Sequence, residues 1–192
     1  MRSLGVSMAV FVVLWTIGVS DARERKVNML DECDPATFNA EPPTGPGLGV
    51  LCEEDFDGGV TFAEFASFLS PAAFGHPAWR FNAPYLEIKS RHTVEVVNKG
   101  GEDHTFTEVP RFDGGRIPDL NTALGLQALP ECDEAVAPAI RPGDSIELNN
   151  LSEGTHLFLC CIHPWMHAVI EVKPAGTSKE DAEHHHHNRR ER

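Results

Sequence analysis

From Trp79 onward the apolar and polar residues alternate in short runs. Tyr85-Leu-Glu-Ile-Lys89, Thr93-Val-Glu-Val-Val-Asn98, His104-Thr-Phe-Thr-Glu-Val109, Ser145-Ile-Glu-Leu-Asn149, Thr155-His-Leu-Phe-Leu-Cys160 and Ala168-Val-Ile-Glu-Val-Lys173 follow one another, preceded by Trp79-Arg-Phe81. A period of two places alternate side chains on opposite faces of a strand. Turn signals separate the runs: Gly100-Gly101, Arg141-Pro-Gly-Asp144 and Glu153-Gly154. Short strands at this spacing predict an all-β domain, an antiparallel sandwich or barrel. A long insertion from about residue 112 to 138 interrupts the series. It holds a short helix near Asn121–Ala128 and then Cys132. Trp79 reads as core.

The stretch before Trp79 follows other rules. Glu41-Pro-Pro-Thr-Gly-Pro-Gly47 forbids regular structure, and Cys33 and Cys52 bracket it. In an oxidising compartment such a pair most simply closes the loop as a disulfide. Thr61-Phe-Ala-Glu64 is a capping box that opens a short amphipathic helix running to about Leu69. The same residues partly match a calcium loop, with Asp55, Asp57, Gly58, Val60 and Glu64 in register. Against that reading, Glu53 stands where the loop wants Asp, and the Pro/Gly segment leaves no preceding helix.

Composition bounds the rest. Hydrophobic residues make up 41% and charged residues 23% of 192, and there are 16 Gly and 14 Pro. That is a turn-rich globular chain rather than a disordered, collagenous or multi-span membrane protein. The formal net charge is −13. Charges in residues 1–22 and 179–192 cancel, so the excess belongs to residues 23–178. A nucleic-acid partner needs a basic face, and none is available. Arg2, the apolar run Met8–Val19 and Ser20-Asp21-Ala22 have the order of a cleaved export signal. The expected location is therefore periplasmic or extracellular, with a soluble chain after cleavage. The C-terminal tail, with His184–His187, shows no periodicity and reads as disordered.

The chemistry concentrates in Phe158-Leu-Cys-Cys-Ile-His-Pro-Trp-Met166. Cys160, His163 and Met166 offer a thiolate, an imidazole and a thioether in seven residues. Soft sulfur with imidazole suits copper, and a His₂Cys set with a weak Met is the blue-copper arrangement. The loop has one His, so a second must come from elsewhere; His104, after the Gly100-Gly101 turn, is the candidate. With these residues the sequence resembles the cupredoxins, the single-domain blue (type 1) copper proteins of the plastocyanin and amicyanin kind. The Cys-x2-His-x2-Met spacing, with Pro164 after the His, is most similar to amicyanin's ligand loop. The resemblance covers about Trp79 to Lys173.

The resemblance implies a cupredoxin-like Greek-key β-sandwich and four ligands to one copper ion cycling between Cu(I) and Cu(II): His104, Cys160, His163 and Met166. It also implies that the ring edge of His163 lies nearest solvent, framed by an apolar patch of Pro164 and Trp165. The family has Asn after the first His where this chain has Thr105, whose hydroxyl can still bond the ligand loop. Adjacent residues on a strand face opposite ways. With Cys160 as ligand, Cys161 is left to pair with Cys132. His156 and His167 read as solvent-facing strand residues rather than ligands.

The division of the chain is 1–22 signal, 23–77 disulfide loop and short helix, 78–174 cupredoxin domain, and 175–192 tail. The function implied is one-electron transfer, without enzymatic turnover, by a monomer whose acidic surface suits a basic redox partner such as a c-type cytochrome. The alternative is a copper storage or delivery protein. A copper oxidase or nitrite reductase needs further ligands, and no His-x-His occurs outside the tail.

Overall fold

In the computed structural model, residues 25–175 are described. The candidate export signal and the histidine run of the tail lie outside them. Eight strands form two four-stranded sheets. One has the order β2-β1-β4-β6, built from Arg80–Asn82, Arg25–Leu30, Val94–Asn98 and Ser145–Leu148. The other has the order β3-β8-β7-β5, built from Tyr85–Lys89, His167–Lys173, Gly154–Leu159 and Thr107–Val109. The all-β, two-sheet sandwich expected from the sequence is present, and each alternating run contains a strand, although in the run His104–Val109 only Thr107–Val109 forms one and His104 makes an isolated bridge to Ile140.

The pairing is mixed rather than wholly antiparallel. β1 runs parallel to β4 and β3 parallel to β8, while the other four pairings are antiparallel. Alternation reports which face a residue takes, not the direction of its neighbour.

Burial follows the period of two. In β4 the first, third and fifth residues are buried, and in β8 the second, fourth and sixth. The sheets enclose Val27, Met29, Val94, Val96, Phe158 and Ile170. Phe106 stacks on Phe158 with centroids 4.4 Å apart and meets Phe81 edge-on at 4.9 Å. A second cluster (Val109, Leu129, Cys132, Leu159, Cys161) lies under the insertion. The insertion helix α3 spans Pro118–Leu124, starting three residues and ending four residues earlier than predicted. Pro118 fits its first turn, and Gly125 ends it in the left-handed conformation (φ 71°).

The sequence reading marks no strand at β1. Val27 and Met29 are fully buried there, and Val27 pairs with Val96 of β4. Charged residues at its start and a Pro/Gly loop beyond hide the alternation. Asp31 directly follows β1, and the strand's place in the sheet carries that carboxylate inward. The helix α1 (Pro35–Phe38) and the helix α2 (Phe62–Ser67) follow. Thr61 caps α2, its hydroxyl accepting from the Glu64 amide at 3.2 Å. The loop between the helices is held by Asn39, whose side chain donates to the Cys52 carbonyl and accepts from the amides of Leu51 and Cys52. Both expected disulfides are formed: Cys33–Cys52 and Cys132–Cys161.

Candidate metal centre

Cys160 is the unpaired cysteine, and it is buried. It follows the last residue of β7 and faces the inter-sheet core, whereas Cys161 faces the cluster under the insertion. Strand alternation thus separates the two. The loop after Cys160 folds back on itself. The Met166 amide donates to the His163 carbonyl at 2.9 Å, and the Cys160 amide donates to the Met166 carbonyl at 3.1 Å. Met166 is itself 1% exposed. His104 enters from the other edge, fixed by two backbone hydrogen bonds with Ile140.

The three side chains converge. Cys160 Sγ lies 3.7 Å from His104 Nδ1 and 3.9 Å from His163 Nδ1, and the two Nδ1 atoms are 3.2 Å apart. All three ligand atoms lie within 4.8 Å of one another and are buried. Among the described residues this is the group of three or more such side chains able to hold a metal. Asp55, Asp57 and Glu64 are not brought together, and Glu64 instead lies 3.6 Å from His76.

Behind each imidazole stands a buried carboxylate that the sequence reading did not find. Asp31 Oδ2 is 2.8 Å from His104 Nε2. Glu102 Oε2 is 3.5 Å from His163 Nε2, and it also accepts from the Trp79 indole. A carboxylate at Nε2 places the ring proton there and leaves Nδ1 as a lone pair. Two imidazole lone pairs and a sulfur then point at one buried spot, an arrangement that a cation stabilises. Burial pushes His104 down, but Asp31 and Cys160 outweigh it and raise it to about 10. Burial likewise pushes the Cys160 thiol up, but His104 and His163 hold it well below the usual thiol range. Soft sulfur with two imidazoles fits copper.

Asp31 is accommodated by glycine. A Cβ at Gly100 would stand 1.8 Å from Asp31 Oδ2. The amides of Gly101 and Glu102 donate to the same carboxylate at 3.0 and 3.2 Å. Together with the hydrogen bond to His104 they outweigh its burial and hold its carboxyl below the usual range. Thr105 does the work expected of it. Its hydroxyl accepts from the Cys161 amide at 2.7 Å, and its own amide donates to Cys160 Sγ at 3.4 Å.

The environment of His163 departs from expectation. The residue is 4% exposed, and Pro164 is buried. Phe65 of α2 meets the His163 ring edge-on at 6.4 Å, Trp79 lies at 6.4 Å and Trp165 at 5.5 Å. Trp165 is half-buried, packs closely against Gly75 and donates to the His76 carbonyl. No open His163 edge framed by Pro164 and Trp165 exists, because the N-terminal segment covers it. His156 and His167 are not solvent-facing either. His156 is buried between Glu108 (2.7 Å) and the Ser152 carbonyl (2.8 Å). His167 stacks on Phe112 with centroids 4.0 Å apart. Neither joins the cluster.

No protein-family profile matches the chain, and no curated protein matches it. Solved structures do. A purple cupredoxin from Nitrosopumilus maritimus aligns over 78% of this chain and 100% of its own, at 14% identity and a TM-score of 0.39. A Cu(I) methionine-to-alanine variant of amicyanin aligns over 49% of this chain and 73% of its own, at 18% identity and a TM-score of 0.34. A copper-containing nitrite reductase from Thermus scotoductus aligns over 49% of this chain and 20% of its own, at 21% identity and a TM-score of 0.34.

Proposed function

We propose that the chain is an exported type 1 copper protein that carries single electrons between redox partners. The observation that supports this most is the buried convergence of His104 Nδ1, His163 Nδ1 and the one unpaired cysteine sulfur, each imidazole backed by a carboxylate. Met166 is the fourth ligand by the Cys-x2-His-x2-Met pattern. A bound copper ion supplies the one-electron couple. The chain's part is to hold one donor set for both oxidation states. The sheets fix Cys160 and His104, and the backbone hydrogen bonds between Cys160, His163 and Met166 fix the loop. Asp31 and Glu102 orient the rings through Nε2. Burial excludes water from the sulfur.

Two disulfides support an oxidising location. No helix among the described residues is long and apolar enough to cross a membrane. Spectroelectrochemistry of the copper-loaded chain separates carrier from store. The carrier shows a reversible one-electron couple and keeps its metal through repeated cycles. Loss of metal on each reduction overturns the proposal in favour of storage or delivery.

A further inference from the structure

The segment that covers His163 is also where the negative charge collects. Between Val27 and Trp79 there are nine Asp and Glu and no Lys or Arg, in a chain whose net charge is −13. Glu53, Glu54, Asp55 and Asp57 are exposed on the turn after Cys52, and Asp103 is exposed beside it. A cavity of about 250 Å³ opens among them, lined by Val50, Glu53, Asp103, Pro142, Ile162 and the ligand residue His163. A wider hollow on the same face shares Glu53 and Pro142 and adds Asp55 and Asp57. Lys99 is the one basic residue lining it. Val50, which lines the cavity, is 69% exposed, and Leu48, two residues before it, is 73% exposed. An apolar centre within a charged border is the anatomy of a protein interface. One sign of charge there steers a partner of the opposite sign.

We infer that this face, Leu48–Asp57 with Asp103, is the docking surface for a positively charged redox protein, which approaches His163 through the cavity rather than through the Pro164–Trp165 loop. The inference rests on the proposed electron-carrier role for its purpose but not for its test. The occupant is a protein bearing a lysine-rich rim, because the surface offers carboxylates around an apolar centre. With copper bound at the site, one electron would pass to it from the partner's reduced centre, with no bond or proton changing hands.

The test uses the full chain and mitochondrial cytochrome c, a basic protein, as probe. Binding is titrated calorimetrically with the metal-free chain at low and at moderate ionic strength. Glu53→Lys with Asp57→Lys is expected to weaken binding at least tenfold at low salt and to flatten its salt dependence. Glu87→Lys with Glu153→Lys, equally exposed but elsewhere, is expected to change it less than twofold. Asp103→Lys alone gives a second reading if the first pair disturbs folding, which melting temperatures check. Equal weakening by both pairs, or no weakening by the first, overturns the docking surface. With copper-loaded protein the transfer rate is expected to fall in step with affinity while the visible spectrum stays unchanged. A wild-type chain without any such spectrum removes the copper reading and leaves the binding contrast to decide the surface.

Discussion

The two sides of the buried cluster come from different parts of the chain and are held by different physics. On one side His104 is fixed by hydrogen bonds: Ile140 along the backbone, and Asp31 at 2.8 Å with two amides behind it. On the other side His163 has a looser polar partner, Glu102 at 3.5 Å, and is enclosed mainly by the aromatic rings of Phe65, Trp79 and Trp165. The contrast predicts that the His104 side governs affinity for metal. It predicts equally that the His163 side governs access and exchange.

The largest expected effect breaks the aromatic side. Phe65 is 5% exposed and packs on Phe38, Trp79 and Trp165. Phe65→Ala is expected to cost about 3–5 kcal/mol of stability in denaturant unfolding. It should also speed metal exchange while leaving the visible band where it was. An unchanged exchange rate would mean that the cover does not gate His163.

Next is the cross-link that ties the insertion to the ligand strand. Cys132→Ala with Cys161→Ala removes a bridge closing 29 residues. The loss is expected to be about 2–5 kcal/mol, with the metal centre intact because Cys160 faces the other core. Loss of the visible band in this variant would show that the strand end cannot hold Cys160 without the bridge.

Breaking the polar side has a smaller effect on folding and a specific one on metal. Asp31→Asn removes the charge behind His104, and such changes lower metal affinity by about 10–100-fold. Competition with a chelator measures it. A Phe65→Ala affinity loss as large as that of Asp31→Asn would erase the proposed division between the two sides.

The smallest effect lies away from both. His156 sits between the Ser152 carbonyl and Glu108. Burial lowers its pKa, but those two acceptors outweigh it and raise it. A raised folded pKa contributes stability that is fully present below the unfolded value, about 6.5. That contribution is lost as pH rises through the folded value. The excess melting temperature of wild type over His156→Gln is therefore expected to be larger at pH 5.5 than at pH 8.5. No change in that excess would remove the charge linkage.

Much of the ligand side was legible because its information is local. Cys160 and His163, two members of the buried cluster, fall within four residues, and the strand alternation around them points Cys160 and Cys161 to opposite cores. The shell was not legible, because it depends on sheet order. Asp31 reaches His104 across 73 positions only because β1 pairs with β4. Glu102 reaches His163 across 61 positions because the turn beside Gly101 lies under the ligand loop. Phe65 reads as the apolar face of a capped helix, and nothing in its spacing says that the face lies over a ligand. The exposed His163 edge was expected from the resemblance alone, and it fails where this chain carries sequence outside the resembling region.

The proposed function depends first on Cys160, and not its neighbour, being the sulfur of a copper centre. The most direct measurement is the visible spectrum after adding Cu(II) to the metal-free protein, for wild type, Cys160→Ala and Cys161→Ala. An intense thiolate-to-copper charge-transfer band in wild type and Cys161→Ala, absent in Cys160→Ala, is the predicted result. No band in wild type, or a band that survives Cys160→Ala, would exclude Cys160 as the sulfur of a copper centre.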